Sequence, residues 1–169
     1  LITAEEYGER YKSYSLDPSA DVYYLYQKKL KQNNALDFDD LIFYVVRLFR
    51  KYPEVLHKYE GLFHYILIDE YQDINKAQYA LVKSLADKRR NLFVVGDEDQ
   101  SIYAFRGADM NIILNFERDF PEARIIKLQQ NYRSTGNILD VANELVRNNR
   151  NRRDKDLWTH KSEGDRPIC

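Results

Sequence analysis

The stretch Tyr65-Ile66-Leu67-Ile68-Asp69-Glu70 decides the fold class of this chain. Its unbroken apolar run reads as a β-strand covered on both faces, each aliphatic side chain contributing about 1.5–3 kcal/mol when fully buried. The run ends abruptly on two carboxylates. Further along, Leu92-Phe93-Val94-Val95 repeats the pattern and ends on Gly96-Asp97-Glu98-Asp99-Gln100. A third strand is predicted at Arg124-Ile125-Ile126-Lys127-Leu128. Between the strands, Asn75 is placed to cap a helix with Ala77, Leu81, Val82 and Leu85 inward. Asp109 is placed to cap another, with Ile112, Ile113 and Phe116 inward and Pro121 beyond its end. Strand, helix, strand, helix, strand implies right-handed parallel crossovers and an α/β fold.

Outward from this centre the chain reads as helical. Thr3 and Glu6 have the spacing of a capping box. Asp17-Pro18 starts a second helix, with Val22, Tyr26 and Leu30 on one face. Asp37 starts a third, with Leu41, Val45, Leu48 and Phe49 as its buried stripe. Pro53 opens a short helix ending near Gly61. After Ser134-Thr135 a long helix carries Ile138, Leu139, Ala142, Leu145 and Val146. A basic stretch follows, from Arg147 through Arg150, Arg152 and Arg153 to Lys155, whose ordinary meaning is a solvated face.

Composition bounds the function. The 169 residues are 44% hydrophobic and 31% charged, values of an ordinary globular protein. Lys and Arg total 26 against 27 Asp and Glu, a net charge of −1, which excludes a uniformly basic nucleic-acid wrapper but not a local patch. No apolar run reaches the roughly 18 residues of a membrane span. The single cysteine, Cys169, cannot close an internal disulfide, so the expectation is a reducing, cytoplasmic location. The chain opens at Leu1, its one methionine is Met110, and it stops at Cys169. It reads as a segment of a longer polypeptide.

The acidic strand ends carry the first chemistry. Ligands of open parallel sheets gather outside the carboxyl ends of the strands. Two carboxylates there can hold a hydrated magnesium ion and activate a water. Asp69 and Glu70, pointing to opposite sides of an extended chain, can divide those tasks. Gly96 permits a tight turn at the second strand end. Three successive carboxylates, Asp97 to Asp99, need a cation or solvent to relieve them. The Gln100 amide can donate to a phosphate oxygen and accept from a loop. Tyr103 and Phe105, two apart, project to one side of an extended chain beside Arg106, an arrangement that suits unpaired bases. Arg133, past the third strand, can reach a phosphoryl group.

Together these segments resemble a known family. Asp69-Glu70-Tyr71-Gln72-Asp73, Val95-Gly96-Asp97-Glu98-Asp99-Gln100-Ser101-Ile102-Tyr103 with Phe105-Arg106-Gly107-Ala108-Asp109, and Gln130-Asn131-Tyr132-Arg133-Ser134-Thr135 resemble the UvrD/PcrA/Rep group of superfamily 1 DNA helicases, PcrA-like members above all. Asp37-Phe38-Asp39-Asp40-Leu41-Ile42 and Leu157-Trp158-Thr159 resemble it too. The resemblance implies a partial RecA-like parallel sheet. Residues 1–36 would end an inserted helical subdomain, 37–130 form the later half of the first RecA-like domain, and 131–169 begin the second. It implies ATP and Mg²⁺ as cofactors, single-stranded and duplex DNA as partners, 3′ to 5′ translocation, and a place in repair and replication.

By position, Asp69 would hold the magnesium of Mg-ATP and Glu70 activate the hydrolytic water. Gln100 would touch the γ-phosphate, Tyr132 stack near adenine and Arg133 approach the γ-phosphate. Tyr103, Phe105, Arg106 and Phe38 would bind single-stranded DNA. Phe105 stands where Trp is usual, and Ile74 where Thr is common. None of the six glycines begins a G-x-x-x-x-G-K-[ST] phosphate loop, so the segment alone is expected to be inactive. Three other readings compete. They are a helicase-nuclease subunit, a non-catalytic DNA-binding module and a magnesium-dependent nuclease, the last of which leaves Gln100 and Tyr103 to Arg106 without a role.

Overall fold

Thr3 and Glu6 close the capping box their spacing predicts. Thr3 N–H donates to Glu6 Oε2 at 2.7 Å and Glu6 N–H to Thr3 Oγ1 at 3.1 Å. They open helix α1 (Ala4–Tyr11) in a computed structural model that describes residues 1–11, 18–150 and 152–168. Asp17, the expected cap of the second helix, and Cys169 lie outside the described residues. Helix α2 (Ser19–Gln32) begins after Pro18, α3 (Phe38–Lys51) after Asp37, and α4 (Pro53–Leu62) with proline in its first turn. Asp37 completes a capping box with Asp40, which contributes about 0.5–2 kcal/mol.

The predicted faces of α2 and α3 are each rotated by one residue. Val22 and Tyr26 are exposed. Instead Tyr23 turns in, its hydroxyl donating to Ile2 O at 3.3 Å and its ring meeting Tyr7 edge-on. On α3, Phe49 is buried as expected, but Leu41 and Leu48 are exposed and Val46 is buried instead. The spacing i, i+4, i+7 holds, but the register is set by Asp40. Its buried carboxylate serves the capping box and accepts Gln27 Nε2 at 3.3 Å, which fixes the rotation of the helix.

Strands β1 (Ile66–Ile68) and β2 (Leu92–Val94) pair in parallel, with Ile66 N–H on Asn91 O at 3.0 Å and Val95 N–H on Ile68 O at 2.8 Å. Helix α5 (Lys76–Ala86) connects them with Ala77, Leu81, Val82 and Leu85 half-buried. The fold class is therefore α/β. Burial of the strands is one-sided, because side chains alternate along them. Ile66 and Ile68 are half-buried, whereas Leu67 and Phe93 are exposed, so the expected two-sided cover is absent among the described residues.

The chain divides into two compact units, Leu1–Ile66 with Ala77–Phe93, and Leu67–Lys76 with Val94–Cys169. In the second, Tyr71, Ile74, Ile112, Ile113, Phe120 and Leu139 form the buried core. The helix expected after Asp109 is two short ones, α6 (Asn111–Leu114) and α7 (Phe116–Asp119). The Asn115 side chain at the break donates to Asn111 O at 2.7 Å, competing with the backbone ladder. Asp109 still anchors the start, its Oδ1 accepting Asn111 N–H at 3.0 Å.

Residues 124–128 do not form the expected third strand. Ile126 and Leu128 are exposed, and the segment is tied sideways by side chains instead of a main-chain ladder. Lys127 Nζ donates to Asp154 O at 2.6 Å and Gln129 Nε2 to Asp156 O at 3.3 Å. A parallel bridge joins Gln130 to Trp158. Helix α8 (Gly136–Val146) buries Leu139 and Asn143, while Ile138 and Leu145 face outward against expectation. No helix among the described residues is long and apolar enough to cross a membrane.

Candidate functional site

The two acidic strand ends lie side by side in the second unit. Beyond the Val95–Ile68 bond, the chain crosses back, and Tyr71 N–H donates to Val95 O at 2.9 Å. Gln72, 1% exposed, then spans the gap. Its Nε2 donates to Glu70 Oε2 at 2.8 Å, and its Oε1 accepts the Asp97 N–H at 3.0 Å. Gly96 makes this approach possible. A Cβ there would sit 2.9 Å from both Gln72 Oε1 and Ile113 Cδ1. Its place is thus set by proximity of the two loops more than by turn freedom.

Asp69 and Glu70 are both exposed at the first tip. Glu70 N–H donates to Asp69 Oδ1 at 2.9 Å. Glu70 itself adopts φ 50°, ψ 44°, a left-handed conformation that costs a non-glycine residue about 1–3 kcal/mol. Its neighbours hold it there: a 3-10 turn over Tyr71–Asp73 follows at once, and Gln72 grips the carboxylate. Among the described residues no group of three or more His, Cys, Asp or Glu is arranged as a metal cage. A single exposed carboxylate still fits magnesium, which takes one or two carboxylates and completes its shell with water and phosphate.

At the second tip, Asp97 is the hub. Its Oδ1 accepts the Asp99 N–H at 3.0 Å and an ion pair from Lys155, and its Oδ2 accepts Gln100 Nε2 at 2.8 Å. Burial acts to raise the Asp97 pKa, but hydrogen bonds from Lys155 and Gln100, with the lysine charge, outweigh it and hold the carboxyl below its usual range. Gln100 is exposed at the end of a 3-10 turn (Glu98–Gln100), and the end of its amide that faces the loop is the donor, not the acceptor.

The three carboxylates are met by the later part of the basic stretch, residues 152–155, while Arg147 and Arg150 are solvent-exposed as expected of a solvated face. Arg152 Nε meets Asp99 Oδ2 at 3.1 Å with both side chains nearly buried. Arg153 N–H donates to Glu98 Oε1 at 2.7 Å.

Tyr103, Phe105 and Arg106 are brought together, though not by extended chain. A 3-10 turn over Ala104–Arg106, closed by Gly107 at φ 87°, folds the residues back. The two rings lie 5.9 Å apart, and the Arg106 guanidinium sits over both, 5.3 Å from Tyr103 and 5.5 Å from Phe105. Phe105 is 78% exposed. An exposed aromatic face beside a cation is an arrangement on which a planar group can stack.

Tyr132 and Arg133 are exposed on a loop ordered by Asn131, whose Oδ1 accepts the N–H groups of Arg133 at 2.9 Å and Ser134 at 2.7 Å. Tyr132 donates to Gln130 Oε1 at 2.9 Å, and Lys161 Nζ donates to Arg133 O at 2.8 Å. Among the described residues this loop makes no direct hydrogen bond or ion pair with the acidic tips. Phe38 belongs to the first unit, at the start of α3, 89% exposed.

Two side chains central to this geometry, Gln72 and Lys155, carry no role in the sequence reading. Gln72 stands inside the Asp69 to Asp73 motif, and an uncharged amide between acids was its one signal. Lys155 was visible only as part of a basic run.

Comparison with known proteins agrees with the motifs. Residues 2–121 match the family described as UvrD/REP helicase N-terminal domain, and residues 126–169 that described as UvrD-like helicase C-terminal domain. An ATP-dependent DNA helicase PcrA of Bacillus subtilis (strain 168) is 54% identical over 164 residues, 97% of this chain and 22% of the relative. The protein of the same name in Staphylococcus aureus (strain COL) is 58% identical over 147 residues, 87% of this chain and 20% of the relative. The chain thus spans about a fifth of the length of these curated relatives.

Proposed function

The chain belongs to the UvrD/REP helicase family, and from that premise we propose that it forms part of an ATP-dependent DNA helicase. Its two acidic tips face the nucleotide. The observation that carries this reading is the Gln72 bridge, which links Glu70 to the Asp97–Gln100 turn within two hydrogen bonds.

Glu70 is the general base that orients and deprotonates the attacking water. Gln72 fixes one of its oxygens and leaves the other for that water, since a carboxylate accepts at both. Asp69 holds the magnesium ion of Mg-ATP, which supplies positive charge against the phosphates. Gln100 contacts the γ-phosphate through the amide whose other contact is Asp97. Arg133 approaches the same phosphate and Tyr132 stacks near the adenine. Tyr103, Phe105 and Arg106 take single-stranded DNA, with Phe38 a further base contact.

Residues 1–36 close an inserted helical subdomain, 37–130 belong to a first RecA-like domain and 131–169 to a second. Translocation runs 3′ to 5′. The 169 residues contain no phosphate loop, and without its lysine and backbone amides they do not turn over ATP by themselves.

The test compares ATP hydrolysis by the whole helicase and by the 169-residue chain, with and without single-stranded DNA. Hydrolysis stimulated by DNA in the first and none in the second is expected. No DNA stimulation of the whole protein overturns the helicase reading. Robust turnover by the short chain overturns the inactivity.

A further inference from the structure

We propose that Lys155 is a positioning residue for Gln100, acting through Asp97, and that the segment from Arg152 to Trp158 is the strap that sets the Gln100 tip against the loop of Tyr132 and Arg133. The inference rests on the helicase reading above and assigns a function to a basic stretch that the motifs leave unexplained.

The observation behind it is one-to-one matching. Each of the three consecutive carboxylates receives its own partner from a run of four residues. Asp97 pairs with Lys155, Glu98 accepts the Arg153 N–H, and Asp99 pairs with Arg152. Arg152 also donates through Nη2 to Lys155 O at 2.9 Å, which holds the run in shape. Asp97 has little freedom under these constraints. With Oδ1 committed to Lys155 and the Asp99 N–H, its Oδ2 is presented to Gln100. Removing the lysine charge leaves Asp97 without its counter-charge beside Glu98, and the repulsion between them releases that orientation.

The far end of the strap is fixed as firmly. Buried Asn143 clamps Leu157, accepting its N–H at 3.0 Å and donating to its carbonyl at 2.9 Å. Trp158 N–H donates to Gln129 O at 2.9 Å and Trp158 O accepts the Asn131 N–H at 2.7 Å. Asn131 in turn orders Arg133. The main chain from Lys155 to Trp158, held by polar contacts at both ends, therefore links Gln100 to the backbone of Arg133, the two residues assigned to the γ-phosphate. If 37–130 and 131–169 are separate RecA-like domains, the strap is what joins their phosphate-facing groups.

The experiment measures steady-state ATP hydrolysis by the whole helicase at saturating single-stranded DNA, for wild type, Lys155→Met, Lys155→Arg, Asp97→Asn and the Lys155→Met/Asp97→Asn double variant. Lys155→Met is expected to lower kcat by roughly 10- to 10²-fold, as misplacement of a reacting-site group does, with KM for ATP held within about twofold. Lys155→Arg is expected to recover most of the loss, and the double variant to be no worse than the poorer single one. Lys155→Gln, which keeps length and polarity, is read in the same way should the Met variant not fold. A Lys155→Met or Lys155→Gln enzyme with wild-type kcat overturns the inference, as do losses that multiply in the double variant. A wild type without DNA-stimulated hydrolysis instead overturns the helicase reading and this inference with it.

Discussion

The Gln72 amide nitrogen lies 2.8 Å from Glu70 Oε2, and through that contact a fully enclosed side chain holds an exposed carboxylate in place. The same amide accepts the Asp97 N–H, so one residue registers both strand ends. Strain at Glu70 is sustained locally by this grip and by the turn that follows it.

Replacing Gln72 by Leu removes both bonds and strands the Asp97 N–H. We expect a loss of about 1–3 kcal/mol in stability, the cost of one unsatisfied buried group. Turnover of the whole helicase is expected to fall by roughly 10- to 10²-fold because Glu70 is no longer aimed. Denaturant unfolding and kcat check the two effects separately. Wild-type kcat in Gln72→Leu would leave Gln72 a packing residue alone.

Phe105 presents an open ring with the Arg106 guanidinium beside it. Phe105→Ala is expected to weaken single-strand affinity by about 1–3 kcal/mol, one stacking contact, and to leave unfolding little changed. Fluorescence anisotropy with a labelled oligonucleotide measures it. Equal affinity of variant and wild type removes Phe105 from the DNA path.

Tyr71 is fully buried, and its hydroxyl has no hydrogen-bond partner among the described residues. Burial, with the nearby Asp119 charge, pushes its pKa up to about 12. The neutral phenol is thus favoured in the folded state. The stability that follows is fully present below pH 10 and is lost as pH rises towards 12, because the unfolded chain releases the proton first. Tyr71→Phe is expected to be neutral or stabilising at pH 7 and to remove this part of the alkaline decline. Chemical denaturation of both proteins between pH 7 and 11.5 reads it. A destabilised Phe variant at pH 7 would show that the hydroxyl has a partner.

How far the sequence reached can be followed through particular residues. The strand ends were legible because Ile68 and Val95 close apolar runs and acids follow immediately, a signal local in sequence. Helix spacing was legible too, but rotation was not. Asp40 turned inward to serve its capping box, and the buried set of α3 moved by one residue to include Val46. The strand expected at 124–128 failed because apolar residues alone do not make a ladder; Lys127 and Gln129 found side-chain contacts with the backbone of Asp154 and Asp156 instead. Three crowded carboxylates and a basic run were each visible. Their pairing, Arg152 with Asp99 and Lys155 with Asp97, joins residues far apart in the chain and only the fold reveals it. Gln72 was missed for the same reason, since its second partner, Asp97, is distant in sequence.

The most direct measurement is the hydrolysis rate of the whole helicase carrying Glu70→Gln, at saturating ATP and single-stranded DNA, beside a titration of nucleotide binding. Loss of the general base is expected to cut kcat by roughly 10²–10⁴ while nucleotide affinity stays near that of the wild type. A variant that hydrolyses ATP at the wild-type rate would contradict the assignment of Glu70, and with it the placing of the nucleotide at these two strand ends.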